Sequence, residues 1–151
     1  MKTEPDEFSI DDLKRKKSEP WSGVRNYQAR NYMRDGMRKG DGVLFYHSSC
    51  AVPGVAGIAE VAASSYPDST QFDPKSDYFD AGSKRDEPRW LMVDVKYKRK
   101  LKRVITLAEL KQHDELHGMI LLRPGSRLSV MPVTKAEWDF VLSLESLRAG
   151  A

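Results

Sequence analysis

The chain is poor in cysteine: Cys50 stands alone among 151 residues. That excludes an internal disulfide framework and fits a reducing compartment. Long apolar runs are missing as well. Those present, such as "GVLF", "WLMV" and "MILL", fall far short of the roughly 20 residues a spanning helix needs, so no membrane partner is expected. The opening "MKTEPDEF" holds no apolar stretch of signal-peptide length, which argues against secretion and for the cytoplasm, or the nucleus in a eukaryote. Glycine loops for phosphates are absent too. "RPGSRLS" and "PGVAG" match neither a Walker A nor a G-x-G-x-x-G pattern. An excess of one charge is lacking, because a net +3 is too small to identify an anionic partner by itself.

Metal and nucleophile chemistry find little support. His47 and Cys50 have H-x2-C spacing, and His113 and His117 lie four apart. Two such pairs, distant in sequence, arise easily by chance, and "HDELH" departs from the H-E-x-x-H zinc pattern at Asp114. Cys50 has no local catalytic signature, and a lone cysteine after a strand is usually a packing residue. No metal, cofactor or catalytic residue is expected.

What the chain does hold is "WSGVRNYQARNYMR", Trp21 to Arg34, without a single acid. Aromatic faces stack on bases, amides read base edges and arginines hold phosphates. Trp21 follows Pro20 and precedes Ser22 and Gly23, a context that predicts a loop with a projecting indole. Plainer readings exist: a core tryptophan, with Asn26 merely capping the next helix. A second feature, "KYKRKLKR" from Lys96 to Arg103, holds six basic residues in eight. It reads as a hairpin between strands, either a solvated face or a phosphate-steering surface.

Helix starts are marked by capping-box spacing at Ser9/Asp12, Thr106/Glu109 and Thr134/Glu137. Helices are predicted over 9–15, 106–113 and 134–144, and a fourth over 26–39. In the fourth, Arg30, Arg34 and Arg38 form a cationic stripe beside an apolar one at Ala29, Met33 and Met37, and Gly40 supplies a left-handed end. Strands are predicted over 42–47, 55–62, 89–97, 118–122 and 127–133; in the third, Leu91, Val93, Val95 and Tyr97 alternate with Trp90, Met92, Asp94 and Lys96, giving one apolar face. Five short strands with four helices indicate one compact α+β barrel domain. The aperiodic 63–88, with its prolines and with Tyr78 and Phe79, is either disordered or a binding loop.

Seven blocks then carry a resemblance: "KTEPDEFSIDDL", "WSGVRNYQARNYMR", "GDGVLFYHSSC", "PGVAGIAEV", "YPDSTQFD", "SDYFD" and "PRWLMVDV". In this order they resemble the EVE-domain family, and "LLRPGSRLSVMPVTKAEWDFVLSL" resembles its C-terminal part. The match covers roughly residues 2 to 144. It implies a PUA-like fold, α+β with a small pseudo-barrel sheet and flanking helices, over residues 1–145, followed by a tail at 146–151. Family members carry an apolar or aromatic run ahead of the K-[ST]-E-P block, whereas this chain opens at Met1. A short first strand, or a late beginning, is expected.

EVE domains are similar to YTH domains, which hold a methylated adenine in an aromatic cage. The resemblance therefore implies a monomeric, non-enzymatic reader of methylated or hydroxymethylated bases in DNA or RNA. By position it implies a pocket edge at Lys2, Thr3 and Glu4, a cage tryptophan at Trp21 and reading amides at Asn26 and Gln28. His47 and Ser48 are expected beside the pocket, and Tyr78 and Phe79 as second cage aromatics. Phosphate contacts are expected from Arg30, Arg34 and Arg38 and from Lys98, Arg99 and Lys100. Two other classes stay open: a methyl-lysine-binding protein module, which suits an aromatic cage through cation–π attraction, and an enzyme acting on modified nucleotides.

Overall fold

A computed structural model describes residues 1–147; of the expected tail, 148–151 lie outside the described residues. Five strands build one sheet: β1 (Lys2–Thr3), β2 (Ser18–Pro20), β3 (Gly42–His47), β4 (Gly54–Pro67) and β5 (Leu91–Thr106). Their spatial order is β1-β3-β4-β5-β2. β1 pairs parallel with β3, and every other pair is antiparallel. Within β3 the side-chain period of two is complete. Val43 and Phe45 join one core cluster, Leu44 and Tyr46 the other, so this strand is buried on both faces.

Between β4 and β5 the register shifts four times, and each such bulge bends the strand and increases its twist. β1 and β2, the outer strands, are only two and three residues long, and residues from both line one cleft. The curl of the sheet has brought its two edges to opposite banks of the same space.

The helices are short: α1 (Ile10–Lys16), α2 (Tyr27–Asn31), α3 (Leu107–Leu110) and α4 (Lys135–Ser143). Ser9/Asp12 and Thr134/Glu137 form full capping boxes. At the third site Thr106 caps α3, but the Glu109 carboxylate turns to Arg103 instead. The helix predicted over 26–39 ends earlier. α2 runs into a π turn, Tyr32–Gly36, and the chain is extended at Met37. A π turn advances five residues per bond, so Arg30, Arg34 and Arg38 do not share one stripe. Gly40 is left-handed at φ +97°, though beyond the helix.

Three further expectations need correction. The 118–122 strand is a 3-10 turn, Ile120–Leu122. The 127–133 strand does not form, although Val130 is fully buried and Ser129 accepts the Lys2 N–H at 2.8 Å. Pro132 has no donor for a ladder there. The basic run is no hairpin: Lys96 to Arg103 lies inside the continuous β5. The 63–88 segment is pinned rather than loose. Buried Gln71 bonds Asp68, Ser83 and both backbone groups of Trp90, while Asp80 accepts the Trp90 indole N–H. No helix among the described residues is long and apolar enough to cross a membrane.

Candidate nucleic-acid interface

The cleft between β1 and β2 has a volume of about 780 Å³, within the range of small-molecule sites. Trp21 lies at its base. Its backbone N–H donates to Val93 O at 2.7 Å, continuing the β2–β5 ladder by one residue. Its ring meets Phe8 and Phe45 edge-to-face, with centroids 6.2 and 5.7 Å away. At 9% exposure Trp21 is a core residue with one border on the cleft, not an indole projecting from a loop. The local signals of Pro20 and Gly23 are overridden by partners distant in sequence.

Tyr78 forms a wall, and a buried carboxylate places it. Asp68, fully buried, accepts the Gly23 N–H at 2.8 Å and pairs with Arg25 at 3.1 Å. Arg25 in turn donates from Nε and Nη2 to the Tyr78 carbonyl at 3.1 and 2.8 Å, and its guanidinium lies 5.5 Å from the Tyr78 ring centroid. Burial alone would raise the Asp68 pKa. The hydrogen bonds from Thr70, Gly23 and Arg25 outweigh it and hold the carboxyl below its usual value.

Lys2, Thr3, Glu4, Trp21, Asn26, Ser48 and Tyr78 line this cleft. Asn26 caps α2 through Oδ1, which accepts the Ala29 N–H at 3.0 Å; its Nδ2 has no partner among the described residues. Glu4 is exposed, and its carboxylate has no ion-pair partner among the described residues. Ser49, at the rim, adopts φ +52° although it is not glycine, the kind of backbone that clusters at binding sites.

Gln28, His47 and Phe79 do not line the cleft. Gln28 bonds the Tyr32 hydroxyl at 3.2 Å. The His47 Nε2 accepts the Ile10 N–H at 3.1 Å, and burial holds the imidazole pKa below its ordinary value. Phe79 is 42% exposed.

The expected phosphate-binding cations are largely engaged within the fold. Arg99 pairs with Glu145 at 2.9 Å, Lys100 with Asp11 at 3.0 Å and Lys98 with Glu60 at 3.7 Å. Arg34 pairs with Asp35, and Arg30 bonds the Arg89 carbonyl. Of the six, only the Arg38 side chain has no partner among the described residues. Sequence reasoning missed Gly23, Arg25, Asp68 and Arg127. Arg127 is exposed and lines the cleft. Asp68 lay within the quoted "YPDSTQFD" block; its partnership with Arg25 had no local signal. A second cavity of about 310 Å³, mostly apolar, lies across β1 and shares Lys2 with the first.

A curled sheet with a ligand-sized cleft between its edge strands defines the class as a PUA-like domain. More particularly, the EVE domain matches residues 1–144, and the chain belongs to that family. It is similar to human thymocyte nuclear protein 1, 45% identical over 163 aligned positions covering 96% of this chain and 72% of that protein. Among solved structures, a Pseudomonas syringae protein is 48% identical with a TM-score of 0.92, covering 96% of this chain and 97% of that one. The human THYN1 protein in complex with DNA containing 5-methylcytosine is 44% identical with a TM-score of 0.91, covering 98% and 96%.

Proposed function

We propose that this chain is a non-enzymatic reader that takes an extruded methylated or hydroxymethylated cytosine of DNA into the cleft between β1 and β2. One observation carries the reading. Above the Trp21 base and beside the Tyr78 wall, the cleft keeps an acceptor, the Glu4 carboxylate, and a donor, the Asn26 Nδ2, neither with a partner among the described residues. That pair complements a cytosine edge, an exocyclic amine beside a ring nitrogen. The human relative held with 5-methylcytosine DNA supports the same ligand.

The energetics bound the selectivity. Extrusion costs a few kcal/mol, and stacking on an aromatic side chain returns about 1–3 kcal/mol per base. Burying one methyl adds about 0.8 kcal/mol, roughly a fourfold preference. Larger selectivity requires a close-fitting wall or a hydrogen bond. His47, whose Nε2 holds the Ile10 N–H, offers no general base to the cleft. Phosphate contacts fall to Arg127 and Lys2 at the rim, with Arg38 further out.

Glu4 and Glu7 both line the cleft, which gives a methylated-lysine peptide a specific claim as the second reading. Titration of the purified protein separates the two. The ligands are DNA and RNA oligonucleotides carrying cytosine, 5-methylcytosine, 5-hydroxymethylcytosine or N6-methyladenine, and a trimethyl-lysine peptide. Modified-cytosine DNA should bind tightest. Equal affinity for modified and unmodified DNA would sink the reader; peptide binding without DNA binding would install the second reading.

A further inference from the structure

Two exposed aromatics stand side by side at the cleft, and only one of them lines it. Tyr78 lines the cleft; Phe79, equally exposed and likewise outside both core clusters, does not. Apolar surface left in water is unfavourable in proportion to its area, so a phenylalanine displayed in this way asks for a partner. Its backbone is held. The Phe79 N–H donates to Ser76 O at 3.2 Å, the Tyr78 carbonyl is clamped by Arg25, and the Asp80 N–H donates to Gln71 O at 2.9 Å. Phe79 is therefore a fixed apolar projection and not the tip of a loose loop.

Extruding a base leaves a gap in the duplex at that base's own place in the stack. For its base to enter the cleft the duplex must lie against the cleft mouth, and Phe79, next in the chain to the Tyr78 wall, is a held and exposed apolar side chain there to meet it. We infer that Phe79 inserts into the stack where the captured base stood, as a wedge that keeps the duplex from reclosing. This rests on the reading of the cleft as a modified-base pocket. Apolar wedges between base steps are a general device of proteins that distort DNA. The alternative plug is Arg127, an exposed cation that also lines the cleft.

The test compares a matched duplex containing 5-methylcytosine with the single strand of the same sequence, for the wild type and for Phe79→Ala, Phe79→Trp and Arg127→Ala. A single strand has no gap to hold open. Phe79→Ala should weaken the duplex about tenfold or more and the single strand less than about threefold, and Phe79→Trp should restore the duplex. Equal losses on both ligands, or no loss on the duplex, would overturn the wedge. So would a duplex-selective loss confined to Arg127→Ala. A wild type that does not distinguish modified from unmodified DNA removes the pocket reading and the wedge with it. A wild type that does, beside a Phe79→Ala that binds duplex normally, removes the wedge alone.

Discussion

The Tyr78 ring lies so close to Gly23 that a β-carbon there would come within 2.7 Å of the ring, and Gly23 itself sits at φ +86°. Only glycine meets both conditions without strain. Asp68 and Arg25 fasten the pair from beneath, one bonding the Gly23 N–H and the other the Tyr78 carbonyl. The Tyr78 wall is thus held by Arg25, 53 positions away in sequence, while Asp68 ties down Gly23 across 45.

Gly23→Ala should displace Tyr78 while leaving the sheet intact. A left-handed alanine costs about 1–2 kcal/mol, so thermal melting should fall modestly. Modified-base affinity should fall more than stability predicts, measured on the folded fraction. Unchanged affinity would show that Tyr78 is not a wall of the site.

Trp21→Ala should lower stability by about 3–5 kcal/mol, as for other truncated core aromatics, because its ring packs between Phe8 and Phe45. Trp21→Phe should fold and keep part of the stacking. Denaturant unfolding beside oligonucleotide titration checks both. A stable Trp21→Ala, within about 1 kcal/mol of wild type, would contradict the packing described above.

Asn26→Ser separates capping from reading. Serine still accepts the Ala29 N–H, so stability should change by only a few tenths of a kcal/mol. The Nδ2 donor disappears, and affinity for the preferred base should drop roughly two- to tenfold, the scale of one hydrogen bond. Asn26→Ala should lose both, adding about 1 kcal/mol of instability.

Acid should loosen the Tyr78 wall. The folded-state pKa of Asp68 is depressed, so its stabilising contribution is fully present above the ordinary aspartate value of about 4 and is lost as pH falls through the lower folded value. The stability gap between wild type and Asp68→Asn should be constant from pH 7 to about 5 and shrink below about 4. A gap that grows in acid would reverse the assignment.

Salt dependence should distinguish rim from strand. Arg127→Ala should reduce the slope of log affinity against log salt by about one, the contribution of one phosphate. Lys98, Arg99 and Lys100, each facing an acid of the same chain, should leave the slope nearly unchanged when replaced by alanine. Losing the Arg99 contact to Glu145 should instead show as reduced stability.

The legible parts were those decided within a few residues. Ser9 and Thr134 cap their helices through bonds that span three positions, and Asn26 caps α2 in the same way. The apolar run over 42–47 marked β3, and the basic composition of 96–103 was plain to see. The seven family blocks carried the fold class.

Tertiary structure decided the rest, because the deciding bonds join residues far apart in the chain. β1 and β2 are too short to show a period and exist only through backbone bonds to β3 and β5. Flanking Pro20 and Gly23 made Trp21 look like a loop residue; Val93, Phe8 and Phe45 bury it. Tyr78 and Phe79 are alike in sequence terms and equally exposed, yet only Tyr78, its carbonyl held by Arg25, lines the cleft. The cations of β5 are neutralised by Glu60, Asp11 and Glu145, acids that only folding brings within reach.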